Sequence, residues 1–148
     1  MRIFFTELKT SPHFRFLIIL SVLAFIPTLG LVHLFDWDEI NFAETAREMM
    51  VTGDYFRVRV NYTLFWEKPP LFFWLQSGSM HLFGVNEFGA RFPNAIAGII
   101  TVSVIYFLGK KERSARFGAI WAFLYLCSFL PQVYFRSAII DPVFTLFI

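Results

Sequence analysis

The sequence predicts an all-α integral membrane domain, and three observations lead there. Its 148 residues are 57% hydrophobic and 20% aromatic, with 21 phenylalanines and only 16% charged side chains, at a mean hydropathy of +0.58. A soluble domain of this size would lack the polar surface to cover itself. Three uncharged runs, 16–35, 92–109 and 117–135, have the length a helix rising about 1.5 Å per residue needs to cross a hydrocarbon core of about 30 Å. The third observation is a segregation of charge: a long polar segment, 36–91, separates the first run from the second.

Taken in order, Arg2, Lys9 and Arg15 precede the first run. That run is longer than the core of a secretory signal and has no small-x-small cleavage site after it, so it reads as a retained span. Pro27 inside it is tolerable in a membrane helix and can kink it. In the segment that follows, Phe42, Ala46, Met49 and Met50 recur at helical spacing while Glu44, Arg47 and Glu48 take other faces. This predicts an amphipathic helix over about 39–52, ended by Gly53, with the three charged residues on a solvated or headgroup-facing surface. Asp36 and Glu39 have a capping-box-like spacing.

A second short helix is expected over about 70–83, opened by Pro69-Pro70 and stopped by Gly84. It is too short to span and carries Gln76, Ser77, Ser79 and His81, so it reads as interfacial. Charge placement agrees. If it spanned, Lys110, Lys111, Arg113 and Arg116 would lie opposite the basic N-terminus, against the positive-inside tendency. With that helix in the interface, three complete spans remain, the N-terminus and 110–116 lie in the cytoplasm, and 36–91 lies outside. Another apolar run begins at 142–148. The whole of 1–148 is thus one membrane domain, without repeats or a flexible linker. Trp37, Trp66 and Trp74 sit where interface aromatics belong.

Several classes are excluded. One cysteine, Cys127, cannot build a disulfide framework or a Cys/His metal cluster, and His33 and His81 are isolated. A net charge of +2, dispersed over short segments, gives no nucleic-acid face. The proposed topology instead brings Asp38, Glu39, Glu67, Lys68, Arg91, Arg136 and Asp141 to one outer membrane face.

Four ordered motifs carry a family resemblance: Asp38-Glu39 with Phe42-Ala43-Glu44 and Ala46-Arg47-Glu48-Met49; Gly53-Asp54; Trp66-Glu67-Lys68-Pro69-Pro70; and Asn86-Glu87-Phe88 with Ala90-Arg91-Phe92-Pro93. Together they resemble the first external loop of the polyprenyl-phosphate-sugar-dependent membrane glycosyltransferases. The likeness is to the branch holding the protein O-mannosyltransferases and the aminoarabinose transferases that act on lipid A. The resemblance implies the N-terminal part of a GT-C type multi-spanning helical fold, with two interfacial helices in the first outer loop. Phe42 stands where the family often has tyrosine, and 56–63 lacks the proline and glycine expected after a Gly-Asp-aromatic turn. Family members continue well beyond residue 148, so activity is expected of a complete chain and not of this stretch alone.

The implied chemistry explains the residue types. A sugar on a lipid phosphate already carries a good leaving group, so what is needed is a carboxylate to activate or steer the acceptor hydroxyl. Asp38 is the candidate base, and Asp141, after Arg136 and before Pro142, is the second candidate catalytic carboxylate. Asp141 also has a plain reading as a helix N-cap, whereas capping fits Asp38 less well. Lys68, Arg91 and Arg136 are the cations for the departing phosphate, and Arg136 with Asp141 could form a local ion pair. Glu39 and Glu67 complete the expected substrate-binding set. No cofactor is certain; a divalent cation at Glu67 and a pairing of Glu67 with Lys68 or Arg91 stay open. Expected partners are a polyprenyl-phosphate-linked sugar, the bilayer, and an acceptor lipid, protein or glycan, at the outer face of a bacterial inner membrane. The alternative from another class is a non-catalytic truncated or split-subunit interaction module.

Overall fold

The computed structural model describes residues 2–35 and 37–146, with side chains from Phe4 onward. Asp36, and with it the expected capping box, lies outside the described residues, as do residues 147–148 of the fourth apolar run.

Ser11 divides the N-terminal chain into α1 (Arg2–Thr10) and α2 (Pro12–Phe25), bent by 106° against each other. The Ser11 hydroxyl accepts from the Phe14 N–H at 3.3 Å, and Pro12 fills the first helical position, where its missing N–H costs nothing. The helix α1 has no counterpart in the sequence reading. The next helix stops at Phe25 instead of running on to residue 35. Pro27 has no N–H to continue the ladder, and the carbonyls of Leu29, Val32 and His33 find a donor in the Arg91 side chain.

Helix α3 (Asp38–Thr52) ends at Gly53, whose φ of 69° and N–H to the Met49 carbonyl make a left-handed cap. Strands β1 (Arg59–Val60) and β2 (Thr63–Leu64) then pair antiparallel. Asn61 and Tyr62 between them both have positive φ, 51° and 61°, as a two-residue hairpin turn requires. This hairpin departs from the all-α expectation. The Glu48 carboxylate holds it, accepting from the Tyr62 N–H at 3.0 and 3.1 Å. Glu48 is therefore buried rather than solvated, whereas Glu44 and Arg47 pair with one another on the same helix.

Helix α4 (Leu71–Phe83) occupies the expected stretch. It packs on α3 through Phe42, whose ring meets Phe72 and Phe73 edge-on at 6.2 and 5.7 Å, contacts worth about 0.5–1.5 kcal/mol each beyond area burial. Trp74 fixes the other side, donating from Nε1 to the Tyr55 carbonyl at 2.6 Å.

Helix α5 (Glu87–Glu112) is capped by Asn86, which accepts from the Gly89 N–H at 2.8 Å. It contains the expected 92–109 run and is long and apolar enough to cross a membrane; the bent α1–α2 pair is a second candidate by the same measure. Helix α6 (Ala115–Cys127) packs against α5 where Gly109 meets Gly118. A Cβ on Gly109 would stand 2.6 Å from the Gly118 Cα, so the crossing needs both glycines. The expected 117–135 helix breaks at Ser128, and α7 (Phe129–Tyr134) follows. Pro131 causes the break, and Gln132 Nε2 takes the released Leu126 carbonyl at 2.6 Å. Helix α8 (Asp141–Leu146) closes the described chain.

Candidate active site

One buried ion pair organises the polar end of the fold. The Arg91 guanidinium has five N–H donors, and all are used: Nε to Glu39 Oε1 at 3.0 Å, Nη1 to the Leu29 and Val32 carbonyls at 2.8 and 2.6 Å, and Nη2 to the His33 carbonyl and Glu39 Oε2 at 2.9 and 2.8 Å. The Glu39 carboxylate is equally occupied. Beyond its two bonds from Arg91 it accepts from the Phe35 N–H at 2.7 Å and from the Ala138 N–H. The two side chains are 2% and 3% exposed. Four segments thus meet on one pair: the turn after α2, the entry to α3, the first turns of α5, and the loop before α8.

Asn94, one turn further along α5, reinforces the last of these contacts. Its Nδ2 donates to the Ser137 and Ile139 carbonyls at 2.6 and 2.7 Å. The loop that delivers Asp141 is therefore tied to α5 from both sides of Ala138. Sequence reasoning missed Asn94, because nothing in an apolar helix marks an asparagine as a bridge rather than a tolerated polar residue.

The expected site residues divide into two groups. Glu39 and Arg91 are corrected from substrate ligands to a structural clamp, since no lone pair or N–H is left for a sugar or phosphate. Asp38 opens α3 with its side chain exposed beside this clamp. Before it, Trp37 holds φ 74° and ψ −93°, a backbone costing on the order of 1–3 kcal/mol that persists only where neighbours over-determine it. Here Phe35 is fastened to Glu39 on one side and α3 begins on the other. Lys68 is half-buried and Glu67 exposed in the loop between β2 and α4, and neither forms an ion pair among the described residues. Glu67 accordingly pairs with neither Lys68 nor Arg91.

Arg136 and Asp141 do not form the expected local pair. Arg136 donates to the Thr28 hydroxyl, binding the α7–α8 loop to the turn after α2, and Asp141 stands exposed at the first residue of α8. His33 is not isolated either: its Nδ1 lies 3.1 Å from Glu87 Oε1. Among the described residues no three His, Cys, Asp or Glu side chains converge as metal ligands, so Glu67 has no companions for a cation. A cavity of about 670 Å³ opens elsewhere, between α5, α7 and α8, lined by Val104, Ile105, Tyr125, Phe135 and Leu146 among others. No charged side chain lines it, so it offers nothing to phosphate chemistry.

The fold recurs in known proteins. The fold superposes on crystal structures of ArnT from Cupriavidus metallidurans, in the apo state and bound to undecaprenyl phosphate, with a TM-score of 0.83 and 26% identity in each case. The match covers 88% of this chain and 24% of ArnT. The chain is also 33% identical over 131 residues to an undecaprenyl phosphate-alpha-4-amino-4-deoxy-L-arabinose arabinosyl transferase of Edwardsiella ictaluri, covering 88% of this chain and 24% of that protein. It therefore spans about a quarter of the length of the curated relatives it matches. Residues 67–148, more than half of the chain, match the dolichyl-phosphate-mannose-protein mannosyltransferases. The chain belongs to that family, the polyprenyl-phosphate-sugar glycosyltransferase group that its motifs between residues 36 and 93 resemble.

Proposed function

We propose that this chain is the N-terminal part of a membrane glycosyltransferase that moves a sugar from a polyprenyl-phosphate donor onto a lipid, protein or glycan acceptor at the outer face of a bacterial inner membrane. The observation that carries the reading is the Glu39 carboxylate, which bonds Arg91, the Phe35 N–H and the Ala138 N–H together. It fixes the start of α3, bearing Asp38, against the loop that leads to Asp141. Similarity to undecaprenyl-phosphate-dependent arabinosyl transferases supports a polyprenyl phosphate as the carrier.

In the proposed step, the acceptor oxygen attacks the anomeric carbon as the bond from that carbon to the phosphate oxygen breaks, with inversion. The bonding pair leaves with the polyprenyl phosphate, and the acceptor proton passes to the Asp38 carboxylate. Lys68 faces the negative charge gathering on the phosphate, where a cation is worth most in a partly dry site. Arg136, tethered through Thr28, is the second cation in reach of that face. Asp141 orients the acceptor. Helices α3 and α4 lie in the outer interface, α5 spans, and the N-terminus is cytoplasmic.

The test places Asp38→Asn and Lys68→Ala in the full-length protein and follows transfer from a radiolabelled polyprenyl-phosphate sugar in membranes. Loss of a positioned base should cost roughly 10²–10⁴ in rate, with unchanged expression. Wild-type turnover in both variants would overturn the assignment.

A further inference from the structure

We propose that α1 and the turn between α5 and α6 form a binding collar for anionic phospholipid headgroups, on the membrane face opposite Asp38. Arg91 and Lys110 stand at the two ends of α5, about 28 Å apart at 1.5 Å per residue, close to the thickness of a hydrocarbon core. The collar gathers at the far end. Lys9, Arg15, Lys111, Arg113 and Arg116 are all exposed there. Among the described residues Lys9, Arg15, Lys111 and Arg116 have no acidic partner, and Arg113 lies over the Phe117 ring at 5.5 Å. Glu112 is the exposed acid among them.

What distinguishes this end from a merely solvated basic face is the way α1 is fastened. Glu7 turns inward, accepting from Tyr106 Oη at 2.9 Å and from Lys110 Nζ at 2.6 Å, while Ser11 Oγ lies 3.1 Å from Tyr106 Oη. The Phe4 ring packs edge-on against Phe14 at 5.2 Å. The helix is thereby held across the foot of the bundle, bent 106° from α2, with Phe5 and Lys9 one turn apart on its outer side. Phe5 is 54% exposed. An apolar ring beside an ammonium is how a surface-lying helix meets the boundary between acyl chains and headgroups. Charge complementarity selects the occupant: unneutralised cations held at headgroup depth attract anionic lipid.

The test uses the full-length protein in phosphatidylcholine vesicles carrying a spin-labelled lipid, either phosphatidylglycerol or phosphatidylcholine, and reads the ratio of the two immobilised on the protein. Wild type should select phosphatidylglycerol about threefold or more, falling as salt is raised. Lys9→Gln, Arg15→Gln, Lys111→Gln and Arg116→Gln combined should bring the ratio near one. Glu7→Ala keeps every exposed cation and removes an acid, yet should lower selectivity because α1 is released. Equal retention of both lipids by wild type overturns the proposal, as does unchanged or higher selectivity in Glu7→Ala. Displacement of phosphatidylglycerol by inorganic phosphate at constant ionic strength would mean a phosphate pocket instead, and also overturns it. Should the fourfold variant fail to fold, Glu7→Ala and the salt series decide alone.

Discussion

Replacing Glu39 by alanine should be among the most damaging single substitutions in this domain, although it removes no proposed catalytic group. The change deletes four accepted bonds at once and leaves two Arg91 N–H donors and the Phe35 and Ala138 N–H groups without partners, in a site only 2–3% exposed. The guanidinium also becomes a buried charge without a counter-ion. Breaking one side of such a pair costs about 3–5 kcal/mol, or two to three and a half powers of ten in a folding equilibrium at about 1.4 kcal/mol per decade. Arg91→Lys should be nearly as harmful, because an ammonium has three donors where five are in use. The half-exposed Glu44–Arg47 pair supplies the control: Glu44→Gln should cost under about 0.5 kcal/mol. The assay is thermal unfolding of the detergent-solubilised full-length protein, followed by fluorescence-detected size exclusion, with Glu39→Ala, Arg91→Ala and the double variant forming a cycle. The double variant should cost well under the sum of the singles. Additive effects, or a Glu39→Ala loss no larger than that of Glu44→Gln, would refute the clamp.

Other expectations follow from the same contacts. Gly118→Leu should prevent the α5–α6 crossing and abolish accumulation of folded protein, whereas Gly78→Ala, with open space around its Cα, should leave the elution profile unchanged. The Lys110 ammonium bonded to Glu7 holds that carboxyl below its ordinary value of 4.5, against the opposing effect of burial and with help from the Tyr106 hydroxyl. A lowered folded value means that this bond's stabilisation is complete above pH 4.5 and is lost as pH falls through the lower folded value. Protection of the α1 amides against hydrogen exchange, taken relative to the intrinsic rate at each pH, should therefore fall on acidification, and Glu7→Gln should flatten that fall. A topology reporter fused after Lys111 should register the cytoplasm. A periplasmic signal there would mean that residues 71–83 span the membrane instead of lying in the interface.

What the sequence reveals and what it conceals follow from how far each interaction reaches along the chain. Helices α3 and α4 are legible because their causes are local: apolar residues at helical spacing, Gly53 to cap one, and Pro69-Pro70 and Gly84 to bound the other. The first and third apolar runs mislead for the opposite reason. Hydropathy continues past Pro27 and past Pro131, but helicity does not, because the carbonyls freed at those breaks find donors in Arg91 and Gln132. A window average registers apolar atoms and not the destination of a carbonyl. The hairpin was hidden because its turn is Asn61-Tyr62, without the glycine that usually announces two positive φ values.

The candidate site shows the same division at the scale of single residues. The motifs around Asp38, Lys68 and Arg91 can be recognised as a set, but the set mixes two kinds of residue that composition cannot separate. An arginine and a glutamate in a polar segment of a membrane protein look equally fit for a phosphate or a sugar until their partners are counted. Counting removes Arg91 and Glu39, whose five donors and four accepting positions are all engaged. Asp38 and Lys68 stay available for a ligand. The saturated residues are separated by 52 positions and join a loop 99 positions from Glu39, so only the folded chain shows that these two charges tie distant segments together while Asp38 and Lys68 form no ion pair among the described residues.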